Sequence, residues 1–299
     1  MDPSPRDTSA SPAAPLPCLP ALASPAGVDR FHVVLPRRSV SPRGVVRPAE
    51  VWRMAQELAV QAACRVGWPP ERFRAQQIAF IVAEMTVLHL RELKYGERVV
   101  GSTWTQDFRR ATLTHRQIHL DGSEGPFAVA TQRWAHVYQA HDGSIHVGRA
   151  SDTLMEAFSP SPRPEALVTL PALPPCAGPR LPTLEVEIWH TWMDPIGHLN
   201  HPQYLDFCDE ALARAMVARG LDPQGIVPVG ERLSFRAAAT AGDRLTVELQ
   251  VTGRRGAELE LSALLRRQDG AVCCQGTLLR RFAEDNVGDA LFEESAAAA

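Results

Sequence analysis

The strongest constraint on this chain is that one of its loop-and-helix segments is written twice. A shift of 153 residues brings Pro42 onto Pro195, Gly44 onto Gly197, Glu57 onto Glu210 and Gly67 onto Gly220 without a gap. Further on the offset shrinks, as loops of unequal length allow. Tyr95-Gly96-Glu97-Arg98 answers Ala241-Gly242-Asp243-Arg244, and the turn Asp121-Gly122 answers Asp269-Gly270. Matches in one order, at equivalent elements, argue for an internal duplication. Each copy must then bury its own helix.

The second copy is the easier to read. Leu184 to Trp192 alternates apolar and polar residues, which predicts a strand. A loop follows, Met193 to Pro202. Gln203 to Arg219 carries Tyr204, Phe207, Cys208, Ala211, Leu212, Ala215 and Met216 at helical spacing, with Gly220 as the stop. Strands are predicted over Ile226–Ala238, Arg244–Thr252, Glu258–Arg267 and Val272–Phe282, the last two joined by the hairpin turn Gln268-Asp269-Gly270. A long helix that is apolar over a wide face needs cover on most sides. About five antiparallel strands can give it by curling around it. This is the hotdog arrangement. The expectation is an α+β fold of two tandem hotdog domains whose curved sheets pair edge to edge, which also covers an exposed edge strand.

Proline sets the boundaries. Residues 1–27 hold seven prolines among Ala and Ser, with Asp2 and Asp7 and no continuous apolar stretch. They are expected to be disordered, and they fit neither a signal nor a transit peptide. Eight more prolines between Ser159 and Pro182 mark a semi-stiff linker, placed at 151–182. Domain one is then 28–150 and domain two 183–283, with a loose acidic tail at 284–299.

Net charge is −3, so no basic field exists to hold nucleic acid. No apolar run is long enough to span a bilayer; Ile78 to Leu90 is short and interrupted by Glu84 and His89. The six cysteines form no C-x-x-C pair and are expected to be reduced thiols of a cytoplasmic protein. No metal is expected, because the ten histidines show no ligand spacing.

The loop before the second helix carries the chemistry: Asp194-Pro-Ile-Gly197-His198-Leu199-Asn200-His201-Pro-Gln-Tyr204. An acid, an imidazole and an amide stand beside a helix N-terminus, where free N–H groups near Gly197–Leu199 can hold an oxyanion. Asp194 is a candidate general base or nucleophile. His198 could donate to a carbonyl oxygen or fix the loop, and Asn200 could orient water. The plainer readings stand beside these. Asp194 could be a turn residue, His198 a structural loop histidine, and Asn200 and His201 helix caps. Trp189, Trp192 and His190 are expected to be packed on their strand.

This stretch resembles the D-x-x-G-H-x-N-(N)-x-x-Y signature of hotdog thioesterases of the 4-hydroxybenzoyl-CoA and acyl-CoA type. It matches at Asp194, Gly197, His198, Asn200 and Tyr204, with His201 where a second Asn is common; Glu210 also fits. The tandem layout is similar to that of the plant acyl-carrier-protein thioesterases. Their catalytic set does not transfer, since Ile196 and Ala237–Ala239 stand at its places. The resemblance implies Asp194, His198 and Asn200 as catalytic residues. Gly197, Leu199 and Tyr204 would line the substrate site.

Domain one is an internal control. At the same offset Asp194 becomes Ser41, His198 becomes Val45 and Asn200 becomes Arg47. One site is therefore expected, on the second helix, with Glu57 and Gln61 of the first helix reaching it and the acyl chain along the seam between the helices. Arg254 and Arg255, with Arg109 and Arg110 at the matching turn, are candidates for the phosphates of coenzyme A.

The expected function is hydrolysis of acyl-CoA or acyl-carrier-protein thioesters to the free acid. No cofactor is needed beyond the thiol carrier of the substrate. The pairing of the two copies makes an intramolecular pseudo-dimer, with room for further homo-oligomerisation. The alternatives are a hotdog enoyl-thioester hydratase or dehydratase, and a non-catalytic acyl-thioester binding protein.

Overall fold

The computed structural model describes residues 20–140, 144–161, 165–283 and 291. Most of the expected N-terminal segment and almost all of the acidic tail lie outside these residues. Residues 20–27, placed in that segment, fold against the body: the Leu22 amide donates to the Arg30 carbonyl at 2.9 Å.

The first copy runs β1 (Asp29–Val33), α1 (Pro48–Arg65), α2 (Pro70–Ala75), β2 (Ile78–His89), β3 (Val99–Arg109), β4 (Leu113–Gly122), β5 (Gly125–Gln139) and β6 (Ile145–Val147), then α3 (Asp152–Ala157). The second runs β7 (Leu184–Glu187), α4 (Pro202–Val217), β8 (Ile226–Phe235), β9 (Arg244–Arg255), β10 (Glu258–Arg267) and β11 (Val272–Phe282). All strands join one antiparallel sheet in the order β1-β3-β4-β5-β2-β8-β11-β10-β9-β7, with β6 on β5. The two copies meet where β2 pairs with β8, Glu84 opposite Ser234 and Leu88 opposite Gly230. On that seam Glu84 takes hydrogen bonds from Ser234 at 2.6 Å and Arg232 at 3.1 Å.

Both long helices start on proline-containing turns, where a missing N–H costs nothing. α1 buries Val51, Trp52, Met54, Ala55, Leu58, Ala59 and Ala62, one face at helical spacing. It approaches the sheet closely at Gly101 of β3, where a built Cβ would stand 2.3 Å from Leu58 Cδ1. Gly101→Val is therefore expected to overpack this contact by about 1–3 kcal/mol, read as a lower urea midpoint with an unchanged slope.

Several expectations change. The strand predicted over Leu184–Trp192 ends at Glu187, and His190–Trp192 is a short 3-10 turn. Trp189 is 63% exposed and His190 is exposed, so neither is packed on a strand. Trp189 lies flat on Trp192, ring centres 4.8 Å apart. Residues 151–182 are more than an extended linker. They begin with α3, capped by the Ser151 hydroxyl. Later the chain docks on the sheet: the Val168 amide donates to Thr131 Oγ1 at 2.8 Å, and the Leu181 amide to the Leu249 carbonyl at 2.8 Å. It thereby covers the part of the β9 edge that short β7 leaves open. No described helix is long and apolar enough to cross a membrane.

Candidate functional site

The entry loops of α1 and α4 are closed by the same bonds. Asp194 N–H donates to the His198 carbonyl at 2.8 Å, and Ser41 N–H to Val45 at 2.8 Å. Gly197 N–H returns to Asp194 at 3.0 Å, and Gly44 to Ser41 at 2.9 Å. Both glycines have positive φ, 79° and 76°, with nothing within 4 Å of a built Cβ. Their role is backbone conformation, not room for a ligand. What differs is the side chain at the turn. Asp194 Oδ1 accepts from the Ile196 amide at 2.9 Å and the His198 amide at 3.2 Å. The aspartate therefore holds the turn, as its plainer reading had it, and it also faces a cavity.

That cavity has a volume of about 820 Å³. Asp194, Pro195, Ile196 and Asn200 form its second-copy wall. The rest comes from the first copy: Arg53, Gln56 and Glu57 on α1, Phe80 on β2, and Thr114 and Arg116 on β4 are among its walls. It lies between α1, the first sheet and the entry loop of α4; a second cavity of about 800 Å³ lies against α4 and the entry loop of α1, with Arg47, Pro48, Gln203 and Phe207 among its walls.

Electrostatics separate the polar groups. Burial pushes the Asp194 carboxyl above the ordinary aspartate value of 3.8, against the pull of the His198 and Ile196 amides. Asn200 Oδ1 is buried without a hydrogen-bond partner among the described residues. His201 is packed between Trp52 and Phe235, ring centres 6.1 and 5.6 Å away, and burial lowers its imidazole to about 3. It is neutral at physiological pH and part of the core. No three described His, Cys, Asp or Glu side chains gather to hold a metal.

Of the residues singled out in the sequence, the cavity brings together Asp194, Asn200 and Glu57. His198 is half-buried behind the turn and outside the cavity wall, although its ring is close enough to act on the Asp194 charge. Leu199 and Tyr204 are core residues, and Gly197 is exposed on the turn; none of the three lines the cavity. Gln61 donates to Glu57 Oε1 at 2.7 Å but stands behind it. Arg254 and Arg255 close the far end of β9. The loop that meets Leu199, through Ala239, enters the near end at Arg244. Neither lines the cavity that Asp194 faces. Arg255 is instead paired with Glu258 at 2.7 Å.

The expected oxyanion donors are also spent. The amides of Gly197, His198 and Leu199 donate to Asp194 O, Asp194 Oδ1 and Ala239 O. That of Asn200 donates to Trp192 O. At the mouth of α4 only the His201 amide makes no hydrogen bond among the described residues. Sequence reading missed Arg53, Thr114 and Arg116. A signal for the last two exists. In Leu113-Thr-His-Arg-Gln-Ile-His-Leu120 the register that turns Ile118 and Leu120 inward also turns Thr114 and Arg116 inward.

Residues 188–286 match the model of the thioesterase-like superfamily. No curated protein matches the chain by sequence. Solved structures do match it in fold. One is described as an oleoyl thioesterase from Lactobacillus plantarum (TM-score 0.71, 14% identity, covering 86% of this chain and 97% of that one). Another is the 12:0-ACP thioesterase from Umbellularia californica (0.68, 14%, 87% and 100%). A third is an acyl-ACP thioesterase from Bacteroides thetaiotaomicron (0.64, 13%, 85% and 98%). At such identities the likeness is one of fold. The resemblance first visible in eleven residues thus holds over 188–286 at the level of the thioesterase-like superfamily, and over most of the chain at the level of the hotdog fold.

Proposed function

We propose that this chain is a tandem hotdog hydrolase of acyl thioesters, with coenzyme A or acyl carrier protein as the leaving thiol and a single site. One observation carries the reading. A half-buried carboxylate of the second copy, with Asn200 beside it, opens on a cavity whose other walls belong to the first copy. The equivalent turn of the first copy has Ser41, Val45 and Arg47 instead and offers no acid.

The acyl group enters the cavity and the thioester carbonyl stops at Asp194. Water adds to the carbonyl carbon as Asp194 takes its proton. The carbon–sulfur bond then breaks, the proton passes to the sulfur, and the free acid and thiol leave. Direct attack by the carboxylate, followed by hydrolysis of the anhydride, gives the same products. Asn200, through its side-chain N–H, is the group of this loop left to face the oxyanion. Such a donor contributes about 3–4 kcal/mol when well placed.

Release of free thiol from a panel of acyl-CoA and acyl-carrier-protein substrates tests the reading. Hydration of an enoyl-CoA with no thiol released would replace it with the hydratase, and binding without turnover would leave a carrier of acyl thioesters. The pH profile gives a further check. A base whose carboxyl is raised by burial loses its proton later than ordinary aspartate. The acid limb of kcat/KM is therefore expected above 3.8, and a limb at or below that value would exclude Asp194 as the base.

A further inference from the structure

The cavity contains a charge that an aliphatic acyl chain does not use. Arg116 lines it from β4 and is 5% exposed. Among the described residues its side chain makes one hydrogen bond, from Nη1 to Thr103 Oγ1 at 3.2 Å. No described carboxylate stands within salt-bridge distance. The nearest acid to act on it, Asp29, is already paired with Arg65 at 3.0 Å. Burial accordingly lowers the Arg116 guanidinium to about 10, with Asp29 only partly opposing this. Its carbon lies 6.0 Å from the ring centre of Phe158, another wall residue. Two places along the same inward face of β4, the buried hydroxyl of Thr114 has no hydrogen-bond partner among the described residues, and it too lines the cavity. A guanidinium costs much to bury without an anion. The local sum of Arg116, Arg65 and Asp29 is one positive charge, and Phe80, Trp68 and Phe158 are the apolar walls of the same cavity.

Resting on the hydrolase reading above, we propose that the cavity takes acyl groups bearing a carboxylate at their far end, which Arg116 binds and Thr114 supports. The substrate class is the monothioester of a dicarboxylic acid. Arg116 acts on specificity and takes no part in the bond-breaking step. The anion completes the pairing that the fold leaves open, and the guanidinium can meet it with two N–H donors.

Suberoyl-CoA and octanoyl-CoA have acyl chains of equal carbon number and differ only at the far end. Wild-type protein is expected to favour suberoyl-CoA by about 10–100-fold in kcat/KM, the worth of a hydrogen bond to a charged group. Arg116→Met should reverse that ratio, and Arg116→Lys should recover part of it. A purely structural role would lower both substrates together and leave the ratio unchanged. Equal or better use of octanoyl-CoA by the wild type overturns the proposal while leaving thioester hydrolysis intact. Should Arg116→Met not fold, the wild-type ratio decides alone, together with inhibition: suberate should compete at least about 10-fold more strongly than octanoate. Should no thioester be cleaved, hydrolysis falls. Calorimetric binding of suberate over octanoate to the wild type then supports the carboxylate site, and equal binding removes it.

Discussion

Asp194→Asn is expected to lower kcat by at least about 10²-fold while leaving the melting temperature nearly unchanged. The geometry makes this substitution discriminating. Asp194 holds its turn through Oδ1, which accepts from the Ile196 and His198 amides. An asparagine carbonyl can accept the same two bonds, so the turn keeps its shape. What is lost is the negative charge and the ability to take a proton. If the aspartate served only the turn, kcat would stay within about threefold of wild type, because nothing chemical would have been removed. Ser41→Asn provides the control. It changes the matching turn of the first copy, which lines the other cavity, and thiol release should not respond. Activity that survives Asp194→Asn would remove the acid from the mechanism and return the cavity to a binding role.

The sequence was most legible where a residue acts through its own backbone. Pro42 and Gly44, like Pro195 and Gly197, shape their turns locally, so the correspondence at 153 residues reappears as matching hydrogen bonds. β10 and β11 begin and end where alternation and the Gln268-Asp269-Gly270 turn place them. β7 ends sooner than the pattern predicts, because Ile188 and Trp192 continue the alternation of Leu184 and Val186 while Trp189 and Trp192 stack on each other outside the sheet. The site was legible only in half. Asp194 and Asn200 sit in a motif, but the cavity they face is assembled from residues that run from Arg53 to Phe158, on separate elements of the first copy, and no spacing rule reports such a wall. The oxyanion expectation failed for a different reason. The helix entrance does gather N–H groups, but the loop that delivers Asp194 consumes nearly all of them to hold itself in place.

Arg280→Met is expected to cost about 3–5 kcal/mol of stability, with thiol release per folded molecule changing far less than in Asp194→Asn. Arg280 on β11 is fully buried and bridges two acids, Glu231 of β8 at 2.6 Å and Asp209 of α4 at 2.7 Å. Glu231 in turn meets His89 of β2 at 2.8 Å and the Trp52 indole N–H of α1 at 3.4 Å. One guanidinium thus ties both long helices to the two strands that join the copies. Methionine fills much of the volume but leaves Glu231 buried with His89 as its sole ionisable partner. Burial alone would raise the Glu231 carboxyl; the charges of His89 and Arg280 outweigh it and hold the group near 2, below the ordinary 4.5. A depressed carboxyl contributes stability that is complete above 4.5 and is lost as pH falls from there toward about 2. Glu231→Gln should therefore flatten the acid side of the stability curve in that window as well as lower the plateau. Urea unfolding of both variants between pH 3 and 7 reads the two effects together. A plateau within about 1 kcal/mol of wild type for Arg280→Met would show that hydrophobic packing, and not this ionic cluster, holds the two copies together.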